Sequence, residues 1–417
     1  MFTRNAHLFS RILLALVLCG VFSRIQSNDQ YNNTSNEIWI TVFIHGTLGL
    51  RYTLGPYTIL RLFLDNPEHT QYAETVHVLR HNPVFYKSQS LQEMGLRRIC
   101  RSERTLGSWL LSTIYDDIQQ TYAPRPTVYY TFGWSGILSK TERYHAAIHL
   151  YQQLKEIYQY WQDHGYNPHF SLLGYSHGGT VAQYLPLFHA NDHQPSFDTI
   201  DELILLATPI QRATDCYTTW SLFKTVYNIY SRTDYFQRLD IISGQQWFPQ
   251  RRLRDSARCR ITDNIYQIEL QITMPPLCNG YYDLYRKGKH RKKRSPSHFE
   301  QFILCFPGST ELYREDFPLL PLPTMVLTPA LIAQKHHFPN TDLVCEYWPI
   351  EGDIVIRPRH TCYGQRYPFI PYETLQDYRV FAWNHRPPMY THTLSDYAAR
   401  KAHNIVHKTW KDLYNKC

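Results

Sequence analysis

The sequence predicts an α/β fold with a mainly parallel central sheet and helices on both of its faces. Short runs of apolar, β-branched and aromatic residues alternate along the chain with longer segments in which apolar residues recur at helical spacing. Such alternation is typical of strands joined by crossover helices, which make neighbouring strands parallel. The 417 residues are also enough to bury a large core.

Seven segments have the character of strands, because they are short and rich in apolar, β-branched or aromatic residues. In chain order they are Ile38 to Ile44, Thr75 to Leu79, Thr127 to Phe132, Phe170 to Tyr175, Glu202 to Ala207, Thr225 to Tyr230 and Ile265 to Ile272. Helical spacing is found over Tyr57 to Leu64, most of 84–122, Arg143 to Gln162, and from Thr180 onward.

The turn after the fourth of these strands has the pattern of a catalytic serine. Gly174-Tyr175-Ser176-His177-Gly178 is a G-x-S-x-G sequence, and it lies between a strand and a helix, as that motif requires. A sharp turn there would hold Ser176 in a strained backbone conformation, with its hydroxyl above the sheet. Gly174 and Gly178 would remove side chains that collide where strand and helix pass closely. Taken alone, the pattern also fits an ordinary glycine-rich loop.

A second glycine-containing turn, His45-Gly46-Thr47-Leu48-Gly49, follows the first strand, and we call residues 45–49 the oxyanion loop. Acyl transfer produces a negatively charged oxygen that two backbone N–H groups must stabilise. We expect these groups to come from Thr47 and from His177, the residue after the nucleophile. His45 is expected to hydrogen-bond within the loop. A plain strand-ending turn is the simpler alternative, and it does not account for both motifs in this order.

Together, the two motifs resemble those of the α/β-hydrolase superfamily, particularly its secreted lipases and esterases, over residues 36 to about 317. The resemblance implies the α/β-hydrolase fold and a serine hydrolase that cleaves carboxylic esters without a metal or organic cofactor. It also implies that serine, acid and histidine follow one another in the chain, each on a loop at the carboxyl end of a strand. A histidine must take the proton of the serine, and a carboxylate must orient that histidine.

Asp234 is the predicted acid. It lies four residues beyond the strand that ends at Tyr230, in the loop that leaves the strand. Asp215 would belong to the loop of the preceding strand, and Asp240 lies further along. Asp234 would otherwise cap a turn or a helix.

His298 is the predicted base, since it follows the next strand and stands before a helix with an apolar face at 299–303. His290 precedes it but is embedded in a basic run. His360 and His392 remain alternatives, and each of these histidines would otherwise be an exposed side chain. We do not expect the rings of His177 or His45 to act as the base.

The first 27 residues read as an export signal, which predicts a secreted or periplasmic protein. Cationic residues precede the apolar run Ile12 to Phe22, and eleven residues are short of the ~20 needed to span a bilayer. An uncleaved anchor or lipid attachment at Cys19 is less favoured. Residues 28–36 are polar and expected to be flexible. Eight cysteines remain after Cys19, which permits up to four disulfides of undetermined connectivity.

The formal net charge of +8 is partly local, because residues 286–294 carry seven cationic side chains. A solvated loop is the main interpretation of this run, and contact with an anionic membrane surface is the functional alternative. No signature of nucleic-acid binding is found, so the expected partner is a small-molecule or lipid ester substrate.

We place the hydrolase domain at 37–317 and a proline-punctuated C-terminal extension at 318–417. A hairpin is expected over 342–356, with its turn at 351–353, and an amphipathic helix over 393–415. The extension would either cover the pocket or pack without a chemical role, and we favour packing. Two other functions stay open: an amide or thioester hydrolase with the same triad, and a catalytically silent binding protein of this fold.

Overall fold

The structure is a computed structural model, and it describes most of the chain between residues 36 and 387. The described ranges are 36–48, 55–81, 94–100, 102–232, 234, 236–239, 249–255, 260–272, 298, 301, 324–338, 342–347, 354–359 and 367–387. Packing separates Met1–Glu37 from a second compact unit, Ile38–Cys417, and the fold below is that of the second unit.

In the described part of the chain, ten strands form one sheet. They are β1 (Glu37–Ile44), β2 (Gly95–Arg98), β3 (Thr127–Gly133), β4 (Asn167–Tyr175), β5 (Ile200–Leu206), β6 (Phe223–Ser231), β7 (Ile265–Ile272), β8 (Leu343–Tyr347), β9 (Ile354–Pro358) and β10 (Tyr367–Ile370). Their order across the sheet is β10-β9-β8-β7-β6-β5-β4-β1-β3-β2. The strands from β4 to β8 pair in parallel, as do β1 and β3, whereas β2, β9 and β10 are antiparallel to their neighbours.

Helices connect the strands and cover the sheet. They are α1 (Pro56–Phe63), α2 (Gln71–Arg80), α3 (Gly107–Tyr122), α4 (Lys140–Asp163), α5 (His177–Gln183), α6 (Leu185–Ala190), α7 (Phe236–Leu239), α8 (Thr328–Ala333) and α9 (Tyr372–Asn384). Short 3₁₀ helices occur at Asp215–Thr219, Thr324–Leu327 and Gln334–His337. No described helix combines the length and the apolar character that crossing a membrane requires.

Two separate hydrophobic clusters show that both faces of the sheet are covered. Neighbouring residues of one strand point to opposite faces, and Leu172 accordingly joins one cluster while Leu173 joins the other. The cluster around Leu173 includes α3, α8 and α9, and the cluster around Leu172 includes α4 and α5. The prediction of a mainly parallel α/β sheet covered on both sides is therefore confirmed.

Most of the predicted elements are found close to their expected bounds. Six of the seven predicted strands correspond to β1, β3, β4, β5, β6 and β7, and the helices expected at 57–64 and 143–162 correspond to α1 and α4. The predicted export signal, the flexible segment at 28–35, the basic run at 286–294 and the helix at 393–415 lie outside the described residues.

The strand predicted at Thr75 to Leu79 is wrong, because these residues belong to α2. The hydroxyl of Thr70 caps the helix by accepting a hydrogen bond from the N–H of Ala73 at 3.2 Å. Buried residues then recur at helical spacing, at Tyr72, Thr75, Val76 and Leu79. The β-branched residues within this short window suggested a strand, but the cap and the helical period lie partly outside it.

Within the described residues of 84–122, the helical interpretation is correct only for α3. Residues 95–98 form the edge strand β2, antiparallel to β3, although their sequence Gly-Leu-Arg-Arg has little strand character. Residues 82–93 lie outside the described part.

The C-terminal extension continues the same fold. β8 pairs in parallel with β7, and β8 and β9 form the predicted hairpin. Met325 and Leu331 lie in the same hydrophobic cluster as Leu173 of β4. The described part of the extension therefore packs against the sheet and its core, and the boundary after residue 317 stays a prediction. Helix α9 was not predicted.

Among the described cysteines, Cys100 is exposed and carries a free thiol. The number and connectivity of disulfides stay predictions.

We predict that Thr70→Ala lowers the free energy of unfolding by about 1 kcal/mol, because it removes the side-chain cap of α2. Thr121→Ala is the matched control, since Thr121 is an exposed residue of α3, and it should change stability by less than about 0.5 kcal/mol. Urea denaturation of the two variants measures the difference. Equal effects would contradict the capping role of Thr70.

Candidate active site

Ser176 occupies a strained turn between β4 and α5. Its backbone has φ +52° and ψ −129°, and positive φ is uncommon for a residue other than glycine. The N–H of Ser176 donates to the carbonyl oxygen of Leu206 in β5 at 2.8 Å, and its own carbonyl accepts from Gly179 at 3.0 Å. Strain of this kind persists only where surrounding contacts enforce it, and it is concentrated at functional sites.

Glycines at this turn allow backbone segments to touch. A Cβ atom on Gly174 would lie 2.4 Å from the Cα atom of Gly179. A Cβ atom on Gly178 would lie 2.4 Å from the carbonyl oxygen of Ile44. Both distances are far inside van der Waals contact with backbone atoms that cannot move aside. The steric role predicted for these two glycines is therefore confirmed.

Ser176, His298 and Asp234 form one hydrogen-bonded chain. Nε2 of His298 lies 3.0 Å from Oγ of Ser176, and Nδ1 of His298 lies 2.7 Å from Oδ2 of Asp234. A carboxylate only accepts hydrogen bonds, so Nδ1 carries the ring proton and Nε2 is left to accept from the hydroxyl of Ser176. The three residues are buried, with Asp234 completely so.

Several groups hold the carboxylate and the backbone of Asp234 in place. The N–H of Gln237 at the start of α7 donates to Oδ1 at 3.2 Å, and Nε2 of Gln301 donates to Oδ2 at 3.3 Å. The guanidinium of Arg251 donates twice to the backbone carbonyl of Asp234, at 3.0 and 2.9 Å. Buried polar groups are stable when they are satisfied in this way.

Tyr175 and Phe236 fix the position of His298. The hydroxyl of Tyr175 donates to the carbonyl oxygen of His298 at 3.0 Å, and the Tyr175 ring centroid lies 4.9 Å from that of the imidazole. The ring of Phe236 lies 5.4 Å away. Tyr175 directly precedes Ser176, so the same turn presents the serine and holds the imidazole that faces it.

The oxyanion loop packs directly against the serine. A Cβ atom on Gly46 would lie 2.7 Å from the Cβ atom of Ser176. His45 braces the loop as predicted: its Nδ1–H donates to the carbonyl of Gly46 at 2.8 Å, and its Nε2 accepts from the N–H of Trp134 at 3.2 Å. The indole N–H of Trp134 donates to the carbonyl of His45 at 2.7 Å.

Thr47 and His177, the expected oxyanion donors, flank Ser176 on two segments. Thr47 follows Gly46 in the loop, and His177 is the first residue of α5. The ring of His177 is hydrogen-bonded to Arg143 of α4. Nη1 of this buried arginine lies 3.2 Å from Nδ1 of His177. A guanidinium only donates, so Nδ1 of His177 is unprotonated. The donor roles of the two backbone N–H groups stay predictions.

The other candidates are not brought to this site within the described part of the chain. Asp215 begins a 3₁₀ helix, where its carboxylate accepts from the N–H of Cys216 at 2.7 Å. Asp240, His290, His360 and His392 lie outside the described residues.

Sequence reasoning missed the residues that support the triad. These are Tyr175, Trp134, Arg143, Gln237, Arg251 and Gln301. Tyr175 stands inside the G-x-S-x-G motif, and Trp134 comes shortly after the predicted strand Thr127 to Phe132, so their positions were a usable signal. The others act across long distances in sequence, where no local pattern marks them.

The chain matches no protein-family model, no curated protein and no solved structure. Its candidate site is therefore interpreted from its own geometry.

We predict that His45 makes the stability of the protein sensitive to acid. The pKa of His45 is lowered to about 3, mainly by burial and also by the charge of Arg80, whereas hydrogen bonds to the backbone of Gly46 and Trp134 act in the opposite direction. As the pH falls, the imidazole of His45 is therefore protonated near pH 6.5 in the unfolded chain but only near pH 3 in the folded chain. The contribution is complete above pH 6.5 and is lost as the pH falls, by about 1.4 kcal/mol for each pH unit.

Denaturation of wild type and His45→Gln at several pH values measures this effect. The stability of wild type relative to the variant should fall between pH 6.5 and pH 4. A difference that is the same at every pH would show that the imidazole is not held neutral in the folded state.

Proposed function

We propose that this protein is a serine hydrolase of the α/β-hydrolase fold that cleaves carboxylic esters. The observation that carries the proposal is the chain of two hydrogen bonds, 3.0 and 2.7 Å, from Ser176 through His298 to the buried Asp234. It begins at a strained strand-to-helix turn, where such a serine is expected. Nucleophile, acid and base also follow one another in the chain in the order that the resemblance implies.

In the proposed reaction, Oγ of Ser176 attacks the ester carbonyl while Nε2 of His298 takes the hydroxyl proton. Asp234 holds the imidazole and stabilises the imidazolium. The carbonyl π electrons move onto oxygen, and the N–H groups of Thr47 and His177 stabilise the resulting oxyanion. The ester C–O bond then breaks, and the alcohol leaves with the proton from His298. Water, deprotonated by His298, hydrolyses the acyl-enzyme and regenerates Ser176.

Burial supports this reading of the three residues. Asp234 is completely buried, and Ser176 and His298 are 6% and 8% exposed. Electrostatic interactions gain strength in such surroundings, and the prearranged acceptors need no reorganisation when charge develops. A carboxylate removed from water without a chemical role would have to offset its desolvation by hydrogen bonds alone.

Two alternatives use the same fold. An amide or thioester hydrolase would need the same three residues, and the lining of the acyl and leaving-group sites would decide between substrates. A silent binding protein is less favoured, because positive φ at a serine costs free energy without benefit to binding. Export, and contact of residues 286–294 with an anionic membrane, are further parts of the proposal.

We predict that Ser176→Ala and His298→Ala each lower ester turnover by roughly 10⁴-fold or more, and that the double variant loses little beyond this. The two residues act as one unit, so their effects are not additive. A fluorophosphonate, which phosphonylates an activated serine, should label wild type and not Ser176→Ala.

Ser221→Ala is the matched control, because Ser221 is exposed in the turn before β6. It should keep turnover and labelling. Turnover that survives Ser176→Ala would refute the assignment of the nucleophile. Absence of both labelling and turnover in wild type would favour a binding protein.

We predict that wild type hydrolyses an ester faster than the amide with the same acyl group. A set of esters of increasing acyl length, measured beside matched thioesters and amides, gives kcat/KM for each class. The highest value for amides or thioesters would replace the ester assignment and leave the triad in place.

A further inference from the structure

Leu48 of the oxyanion loop is held on both sides of its backbone. Its N–H donates to the carbonyl of Gly136 at 2.8 Å, and its carbonyl accepts from the hydroxyl of Tyr72 at 3.1 Å. Leu48 directly follows Thr47, the expected oxyanion donor. The two hydrogen bonds therefore fix the peptide groups on either side of Leu48, next to the residue whose N–H must be aimed at the substrate.

Tyr72 connects two loops through a single hydroxyl. It donates to Leu48 and accepts from the N–H of Leu138 at 2.8 Å. The side chain is completely buried in α2, and burial raises the pKa of Tyr72 well above its usual range. The phenol therefore keeps its one proton for the carbonyl of Leu48.

The helix that carries Tyr72 is itself anchored. Asp65, between α1 and α2, accepts from the backbone N–H groups of Lys140 and Thr141 at 2.6 and 3.0 Å. It also accepts from the hydroxyl of Thr141 at 2.8 Å. These contacts cap the N-terminus of α4 and tie the α1–α2 connection to it. Because α2 is anchored in this way, the hydrogen bond from Tyr72 to Leu48 holds the oxyanion loop in one position.

We propose that Tyr72 is a positioning residue for the oxyanion hole, acting through Leu48 and Leu138. This proposal rests on the proposed hydrolase function. It explains why the buried hydroxyl of Tyr72 contacts Leu48, which lies 24 residues away in the sequence. An oxyanion donor works only near 2.7–3.1 Å from the developing charge. Loss of the Tyr72 hydroxyl would let the loop relax without removing any group that touches the substrate.

The test is Tyr72→Phe, compared with wild type and with Tyr151→Phe. Tyr151 is also buried, and it donates a hydrogen bond to Asp192 at 2.9 Å. It lies further along α4 than Arg143, the residue of that helix that contacts His177. We expect Tyr72→Phe to lower kcat about 10- to 100-fold, as small misplacements of catalytic groups do, with KM changed less than about twofold. Fluorophosphonate titration counts active sites, so that misfolded protein does not lower the measured kcat.

A thionoester substrate separates positioning from general damage. A thionoester carries sulfur in place of the carbonyl oxygen of the ester. Because sulfur accepts hydrogen bonds more weakly than oxygen, hydrolysis of the thionoester depends less on the oxyanion hole. The ratio of ester to thionoester turnover should fall in Tyr72→Phe and stay unchanged in Tyr151→Phe. Equal losses with both substrates, or a kcat within twofold of the control, would overturn the role of Tyr72 and leave the hydrolase assignment intact.

Hydrogen exchange tests the contact without relying on activity. The amide of Leu138 should exchange faster in Tyr72→Phe than in wild type, because its acceptor is gone. Unchanged exchange would refute the bridge. If wild type neither turns over esters nor reacts with the fluorophosphonate, the proposed function fails, and the positioning role fails with it.

Discussion

The site depends on one close approach between backbones, that of α5 to the carboxyl end of β1. Gly178 lies so near Ile44 that any side chain would overlap the carbonyl oxygen of Ile44. This approach places the turn at Ser176 beside the oxyanion loop, which begins one residue after Ile44. A nucleophile and its oxyanion donors must lie within about 3 Å of the same reacting atoms, and only glycine allows two main chains to converge so closely.

An ion-pair network centred on the buried Glu269 links the C-terminal extension to the strand that leads towards Asp234. Glu269 of β7 is completely buried and pairs with Arg232, just after β6, at 2.8 Å, and with Arg359, just after β9, at 2.6 Å. A buried charge that loses its partner is strongly destabilising. The extension therefore stabilises the side of the sheet from which Asp234 is presented, although none of its described residues belongs to the candidate triad.

The sequence predicted those features that local chemistry controls. Buried parallel strands are rich in apolar residues, so β4, β5 and β6 were evident, whereas the edge strand β2 pairs on one side only and has a polar sequence. Asp234 and His298 were found because each follows a predicted strand. Gln301 and Arg251 were not, since their contacts with Asp234 depend on how loops meet after folding. A contact across 17 or 67 residues leaves no periodic pattern in a sequence.

Three imidazoles lie around the serine, and their partners decide which one can act as a base. His45 donates from Nδ1 to a carbonyl and accepts at Nε2 from a backbone N–H, so both nitrogens are occupied. His177 receives a hydrogen bond from a guanidinium at Nδ1; as a neutral ring, it carries its proton on Nε2. His298 gives its proton to the carboxylate of Asp234, which leaves a lone pair on Nε2, and that nitrogen lies 3.0 Å from Oγ of Ser176. Of the three rings, the imidazole of His298 is therefore the one whose hydrogen bonds suit it to accept the proton of Ser176 in the proposed reaction.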